Sequence, residues 1–143
     1  NRTMGYIFQM HNLLPEFTAL ENVMMPLLIR RMIPSRAKKT ALAMLERLGL
    51  SSRVSHKPAE MSGGECQRTA VARAIVGSPD LILADEPTGS LDTKNSSMLI
   101  DLLFDYAKES KSTIIIVTHD ATIAARTDRT VTLVDGKIVR DSE

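Results

Sequence analysis

The sequence predicts an α/β fold: a parallel sheet with flanking helices, to which a mostly helical part is attached. Two observations carry this expectation. From about residue 78 onward, apolar strand-like runs alternate with helical stretches, the rhythm of strand–helix–strand units whose strands pair in parallel. Between about residues 10 and 77, helical patterns and their caps dominate instead. A length of 143 residues allows one domain. We therefore expect a single domain over 1–143, with a helical part at about 10–77 and an α/β core at about 78–143.

Each element has a local reason. Met4–Gln9 (MGYIFQ) is a short apolar run and reads as the first strand, followed by a loop, His11–Phe17, that contains Pro15. Thr18 and Glu21 form a T-x-x-E capping box that opens a helix over about Ala19–Arg31. After Ile33-Pro34-Ser35, Ala37, Ala41, Met44, Leu45 and Leu48 recur at helical spacing, and Gly49 ends that helix. A polar stretch, Ser51–Glu60, leads to a second capping box, Ser62 with Glu65, and a helix through about Val76. Leu81–Ala84 is a compact apolar run between Pro79 and Asp85-Glu86-Pro87, expected as a strand buried on both faces. A long amphipathic helix follows Asp92 to about Ser110. Thr113–Thr118 (TIIIVT), rich in β-branched residues, reads as a second buried strand, and a short helix starts at Asp120. Val131–Val134 and Lys137–Arg140 flank Asp135-Gly136, a type I′ hairpin signal.

Composition narrows the function classes. Apolar side chains make up 43% and charged ones 24%, an ordinary globular mixture. The formal net charge of +1 gives no argument for nucleic acid, and with 3% aromatics and no Trp there is little for bases or sugars to stack on. The charge is uneven: nine basic and four acidic residues lie in 1–60, nine and thirteen in 61–143. One cysteine, Cys66, excludes an internal disulfide and fits a reducing compartment. No apolar run approaches the roughly 18 residues of a membrane span, and no signal peptide is visible. The chain opens with Asn1, so a longer parent is expected.

Four local features carry chemistry. Leu81–Glu86 delivers two adjacent carboxylates, Asp85 and Glu86, at the carboxyl end of a buried strand, the edge of an open α/β sheet where ligands bind. One such carboxylate suits Mg²⁺, and its neighbour suits the orientation of an attacking water in phosphoryl transfer; two solvated acids at a strand end are an equally good account of this feature alone. Met61–Arg68 (MSGGECQR) places Ser62, Gly63, Gly64 and Glu65 at a helix start, where outward N–H groups and a positive dipole end suit a phosphate. Taken alone, a plain capped helix explains it better. Val117-Thr118-His119-Asp120 puts His119 on the same sheet edge, able to donate to a phosphate oxygen or to sit as a surface histidine beside a cap. Gln9, at the end of the first strand, offers an oxygen to Mg²⁺ and by itself means nothing. His11 and His56 receive no role.

The order of these features decides. Strand-Gln, helical insert, S-G-G-E-x-Q-R, strand-D-E-P-T, S-L-D and strand-T-H-D together resemble the ABC-type ATPases along essentially the whole chain. The resemblance implies that Gln9 is the Q-loop glutamine and a Mg²⁺ ligand, and that Met61–Arg68 is the signature motif. It further implies a metal-binding Walker B Asp85, a catalytic Glu86, a D-loop at Ser90-Leu91-Asp92 and an H-loop histidine at His119. ATP and Mg²⁺ are the implied cofactors. GYIFQMHNLLPEFTALENVMMPLLI with LADEPTGSLD is similar, more narrowly, to the ATP-binding subunits of lipoprotein-releasing transporters and their macrolide-exporter relatives. Met61 stands where Leu is usual and Cys66 where Arg is frequent, the latter at a position expected to tolerate change.

The family's phosphate-cradling sequence, G-x-x-x-x-G-K-[ST], is not in these 143 residues. The expectation is therefore the carboxyl-terminal portion of a P-loop NTPase-like domain, without the lysine that neutralises phosphates. The family further implies a head-to-tail homodimer, in which Ser62 and Gly64 bind the γ-phosphate held by the other subunit and Asp92 touches its P-loop. It implies integral-membrane permease subunits docking near residues 10–32, and a peripheral location on the cytoplasmic face of the inner membrane. In that stretch, Phe17, Val23, Met24, Met25, Leu27 and Leu28 are docking candidates or, for most of them, core of the helical part. Arg30, Arg31, Arg36, Lys38 and Lys39 are a solvated helix face or a contact for anionic lipid.

Other ABC exporters, of macrolide or peptide type, share the same motifs. A soluble ABC protein acting on ribosomes or DNA is disfavoured by the compact insert between Gln9 and Ser62 and by the near-neutral charge. For a non-catalytic remnant, Glu86 and His119 argue that the parent is catalytic, while the missing P-loop argues that this chain is not. Five buried aliphatic side chains lost with a P-loop strand and helix are worth about 1.5–3 kcal/mol each, comparable to a whole domain's net stability of about 5–15 kcal/mol. The 143-residue chain expressed alone is thus expected to fold poorly and to show no turnover; a cooperative melt with Mg²⁺-dependent ATPase activity contradicts this.

Overall fold

The computed structural model describes residues 3–89 and 91–142. In chain order the elements are β1 (Met4–Ile7), α1 (Ala19–Ile29), α2 (Pro34–Arg47), two 3₁₀ turns at Ser51–Arg53 and Pro58–Glu60, α3 (Gly63–Ile75), β2 (Leu81–Asp85), α4 (Thr93–Ser110), β3 (Thr113–Val117), α5 (Ala121–Ala124), β4 (Thr130–Val134) and β5 (Lys137–Ser142). β1, β2 and β3 form a parallel sheet in that order, in the register Met4↔Leu81↔Thr113 through Ile7↔Ala84↔Ile116, with Asp85↔Val117 closing the β2–β3 pair. β4 and β5 form a separate antiparallel hairpin. Asp135 and Gly136 both have positive φ, as a type I′ turn requires.

The helix ends follow their local chemistry. Both capping boxes form: Thr18 with Glu21 opens α1, and Ser62 with Glu65 opens α3. α1 stops at Ile29, two residues before the expected end, because Arg31 turns left-handed at φ 61°. The N–H groups of Arg31 and Met32 then donate back to the carbonyls of Leu28 and Leu27, a Schellman closure. Gly49, at φ 69°, closes α2 in the same way onto Glu46 and Leu45. β1 ends at Ile7 rather than Gln9, since the pairing with β2 runs out at Ala84; Gln9 lies in a bend beyond it.

One buried cluster runs from the helices into the sheet and includes Ile7, Val23, Leu27, Leu45, Val71, Ile75, Ile82, Ile100 and Leu103. Asn22, fully buried on α1, accepts the Leu14 N–H and donates to the carbonyls of Leu14, Phe17 and Thr18, which pins the loop before the helix. Tyr106 of α4 donates its hydroxyl to the Ile75 carbonyl, tying α4 to the end of α3.

The expectation that β2 and β3 are buried on both faces is corrected. Ile82 and Ala84 are buried, and Ile114 and Ile116 pack on the same core, but Ile115 is 51% and Val117 61% exposed. Met4, Tyr6 and Phe8 are exposed on the same face as Ile115. A run of β-branched residues marks a strand without revealing how many layers cover it.

Gly5 of β1 is buried where a Cβ would run into the Ala74 carbonyl of α3. Gly5→Ala is expected to force strand and helix apart and cost about 1–3 kcal/mol. A urea melt of the full-length protein checks this; an unchanged midpoint contradicts the close approach of β1 and α3.

Candidate functional site

The parallel register of β2 and β3 sets the site. Both strands point their carboxyl ends the same way, and the residues just beyond them meet. Glu86 follows Asp85 and donates its backbone N–H to the Val117 carbonyl at 2.9 Å. Its φ of 44° is the left-handed region that non-glycine residues seldom adopt. From there its Oε1 accepts the backbone N–H of His119 at 3.0 Å and contacts the ring Nδ1 at 2.7 Å. In the tautomer whose Nδ1 bears the hydrogen, the ring donates to this carboxylate. The Glu86 side chain is 18% exposed and that of His119 87%, so the carboxylate is sheltered while the imidazole faces out. Asp120, next in sequence, caps α5; hydrogen bonds from the Thr122 hydroxyl and backbone hold its carboxyl below the ordinary range.

Glu86 and His119 open onto a cleft of about 450 Å³, lined also by Thr88, Gly89, Leu91 and the first turns of α4. Gln9 reaches this loop from the other side: a Cβ on Gly89 would lie 3.5 Å from its Nε2. Asp85 ends β2 half-buried, and its side chain takes part in no hydrogen bond or ion pair among the described residues. One free carboxylate and one carboxamide oxygen are too few for a cage made of protein alone, and among the described residues no group of three or more His, Cys, Asp or Glu could hold a metal ion. Neither side chain lines the cleft, and a Mg²⁺ held by two such oxygens would keep waters and phosphate oxygens in its shell.

Ser62, Gly63, Gly64 and Glu65 do not line this cleft. Ser62 and Glu65 are engaged with each other: the Ser62 hydroxyl accepts the Glu65 N–H at 3.3 Å, and Glu65 accepts the Ser62 N–H at 2.8 Å. Glu65 also accepts from Arg53 Nε at 2.8 Å. Its carboxyl is lowered to about 2, first by the Ser62 backbone and then by Arg53. A Cβ on Gly63 would meet nothing within 4 Å, so no packing among the described residues demands glycine there; one on Gly64 would touch Leu91 at 3.5 Å. Asp92 caps α4, bonded to the backbone and side chain of Asn95, which hold its carboxyl below the ordinary range. Ser90 lies outside the described residues.

A family model described as ABC transporter matches residues 1–89. The chain belongs to the ABC transporter family. This ABC-family chain is 55% identical over 138 residues to the lipoprotein-releasing system ATP-binding protein LolD of Syntrophotalea carbinolica, covering 96% of the chain and 61% of that relative. It is 53% identical over 141 residues to the protein of the same name from Bacteroides thetaiotaomicron, covering 99% and 65%. Among solved structures, a dimeric ATP-binding cassette in a post-hydrolysis state, bound to ADP and Pi, superposes with a TM-score of 0.90 at 39% identity, covering 99% of this chain and 62% of that one. The chain thus spans about three fifths of the length of the curated relatives it matches.

Three details were not legible in the sequence. Gln67 of α3 is fully buried, and its carboxamide donates to the Pro87 carbonyl at 2.8 Å and the Phe8 carbonyl at 3.4 Å. Its place in S-G-G-E-x-Q-R and its i+4 alignment with Val71 and Ile75, the inward stripe of the helix, marked the residue but not these two partners. Arg73 donates to the carbonyls of His11 and Asn12. Cys66 is buried against the Pro58 carbonyl, so the tolerance expected at that position is narrower; burial pushes its thiol up. In the 10–32 stretch, Val23 and Leu27 belong to the core, whereas Met10, Phe17, Leu28 and Ile29 are exposed. Arg30 bonds the Gly77 carbonyl, while Arg31, Arg36, Lys38 and Lys39 face solvent. No helix among the described residues is long and apolar enough to cross a membrane.

The Glu65 network gives a pH test. A carboxyl lowered in the folded state stabilises it above the unfolded value and loses that contribution as protons return. Between pH 4.5 and about 2, wild-type stability is expected to fall more steeply than that of Glu65→Gln. Parallel slopes in acid denaturation contradict the network.

Proposed function

We propose that this chain forms the signature-to-H-loop portion of an ATPase subunit whose full-length protein hydrolyses ATP to drive lipoprotein release from the inner membrane. The observation that carries the reading is the Glu86–His119 contact at the outgoing edge of the sheet, with Gln9 beside the same loop. In it, Glu86 orients the water that attacks the terminal phosphorus and takes up its proton, while the bond from that phosphorus to the bridging oxygen breaks and ADP leaves with the electron pair. Its shelter keeps the carboxylate directed, and the backbone N–H of His119 holds one of its oxygens in place. His119 stands exposed beside it, where its ring would meet the terminal phosphate.

Asp85 and Gln9 would hold Mg²⁺, which would supply charge neutralisation for the nucleotide's phosphates. Two copies would pack head to tail, so that Ser62, Gly63 and Gly64 of one subunit meet nucleotide bound by the other. Two features support this: these residues do not line the Glu86 cleft, and among the described residues nothing packs where a Gly63 side chain would stand. Glu65 would serve as the brace of that helix tip and Asp92 as the cap that sets the D-loop. Permease subunits would dock on the exposed apolar side chains of residues 10–32. Lipoprotein as cargo is favoured over macrolide or peptide by the names of the relatives at 50–55% identity.

In the full-length protein, Glu86→Gln is expected to lower Mg²⁺-dependent turnover by about 10²-fold or more while ATP binding persists. His119→Ala is expected to cost at least about tenfold. Steady-state phosphate release with equilibrium ATP binding measures both, and a Glu86→Gln protein that turns over like wild type overturns the reading. Release of a lipoprotein from liposomes holding the permease tests the cargo.

A further inference from the structure

We propose that Gln67 is a positioning residue that locks the Gln9 segment and the Glu86 loop to the signature helix as one mechanical unit. The inference rests on the ATPase reading above and extends it to a residue outside the nucleotide contacts. Gln67 is fully buried, and one carboxamide nitrogen spans two backbone carbonyls far apart in sequence. Phe8, whose carbonyl it holds, directly precedes Gln9. Pro87, whose carbonyl it holds at 2.8 Å, directly follows Glu86. Both acceptors belong to peptide units adjoining the groups that would face nucleotide and water.

The rest of α3 strengthens the link. Arg73, six residues on, donates to the carbonyls of His11 at 3.0 Å and Asn12 at 2.8 Å, so the helix grips the 8–12 stretch at three carbonyls. The same helix begins at Ser62–Glu65. A shift of its tip is therefore transmitted through Gln67 to both sides of the Glu86 cleft without passing through the sheet. The Gln67 Oε1 has no partner among the described residues, so the two donations are the hydrogen bonds that the carboxamide makes there. A glutamine placed only to fill space would not need both.

The test compares wild type with Gln67→Met, which keeps the length of the side chain and removes the donor. In the full-length protein we expect turnover to fall by about 10²-fold, the cost of a small misplacement of reacting groups. The KM for ATP, and the ATP affinity in a Glu86→Gln background, stay within about threefold. Backbone amide NMR of the same variant should move the signals of both Gln9 and Thr88, which share peptide units with the two carbonyls. Wild-type turnover by a folded variant, a loss carried by KM alone, or movement of only one of the two signals overturns the proposal. Should Gln67→Met not fold, the side-chain amide protons of Gln67 in the wild-type protein decide: slow solvent exchange supports the lock and fast exchange overturns it. If the wild type itself lacks ATPase activity, the functional reading fails, while the NMR arms still judge the lock.

Discussion

The parallel register of β2 and β3 is the constraint on which the site depends. Because Asp85 pairs with Val117, the residues one and two positions beyond the strands arrive together at one edge. Glu86 then bonds back to Val117 through its backbone and to His119 through its side chain. A one-residue slip would send alternate side chains to the opposite face and would part the carboxylate from the imidazole. The apolar identity of residues 81–84 and 114–117 therefore sets the meeting of Glu86 and His119 as well as the core. Burial of Ile82 and Ala84, with Ile114 and Ile116 packed on the same cluster, fixes which face points inward and hence the register.

A second constraint comes from α3. Its first turn is held by the Ser62–Glu65 box and by Arg53, and its body by Gln67 and Arg73 against the carbonyls of the 8–12 stretch and Pro87. Backbone carbonyls are poor sequence markers, since every residue has one. Yet these bonds tie the loop after β1, the loop after β2 and the glycine-bearing helix tip into one body. The helices thus do more than cover one face of the sheet: they set where its loops lie.

Much of this was legible in the sequence for physical reasons. Caps and turns are local chemistry, so T-x-x-E, S-x-x-E, Asp92 and Asp135-Gly136 placed their elements to within a residue or two. The carboxylates of Asp85 and Glu86 and the imidazole of His119 were legible because an apolar strand ends just before each of them. What the sequence concealed depends on long-range packing. The open face bearing Tyr6, Ile115 and Val117 looked buried, because strand composition reports hydrophobicity and not the number of layers. Asn22 looked like an ordinary polar residue and Gln67 like a letter of the signature motif, because the partners of both are backbone groups of other segments. The left-handed turn at Arg31 gave no signal, since glycine usually marks such a position and arginine does not.

The central claim is that the Glu86–His119 pair faces the terminal phosphate of a bound nucleotide. A crystal structure of the full-length protein with Mg²⁺ and a non-hydrolysable ATP analogue tests it most directly. The account predicts a water on the Glu86 carboxylate and a terminal phosphate oxygen near His119, each at hydrogen-bonding distance of about 3 Å, with Ser62 and Gly64 of a second copy closing over the same phosphate. Nucleotide bound elsewhere, or bound with Glu86 turned away from its terminal phosphate, would contradict it.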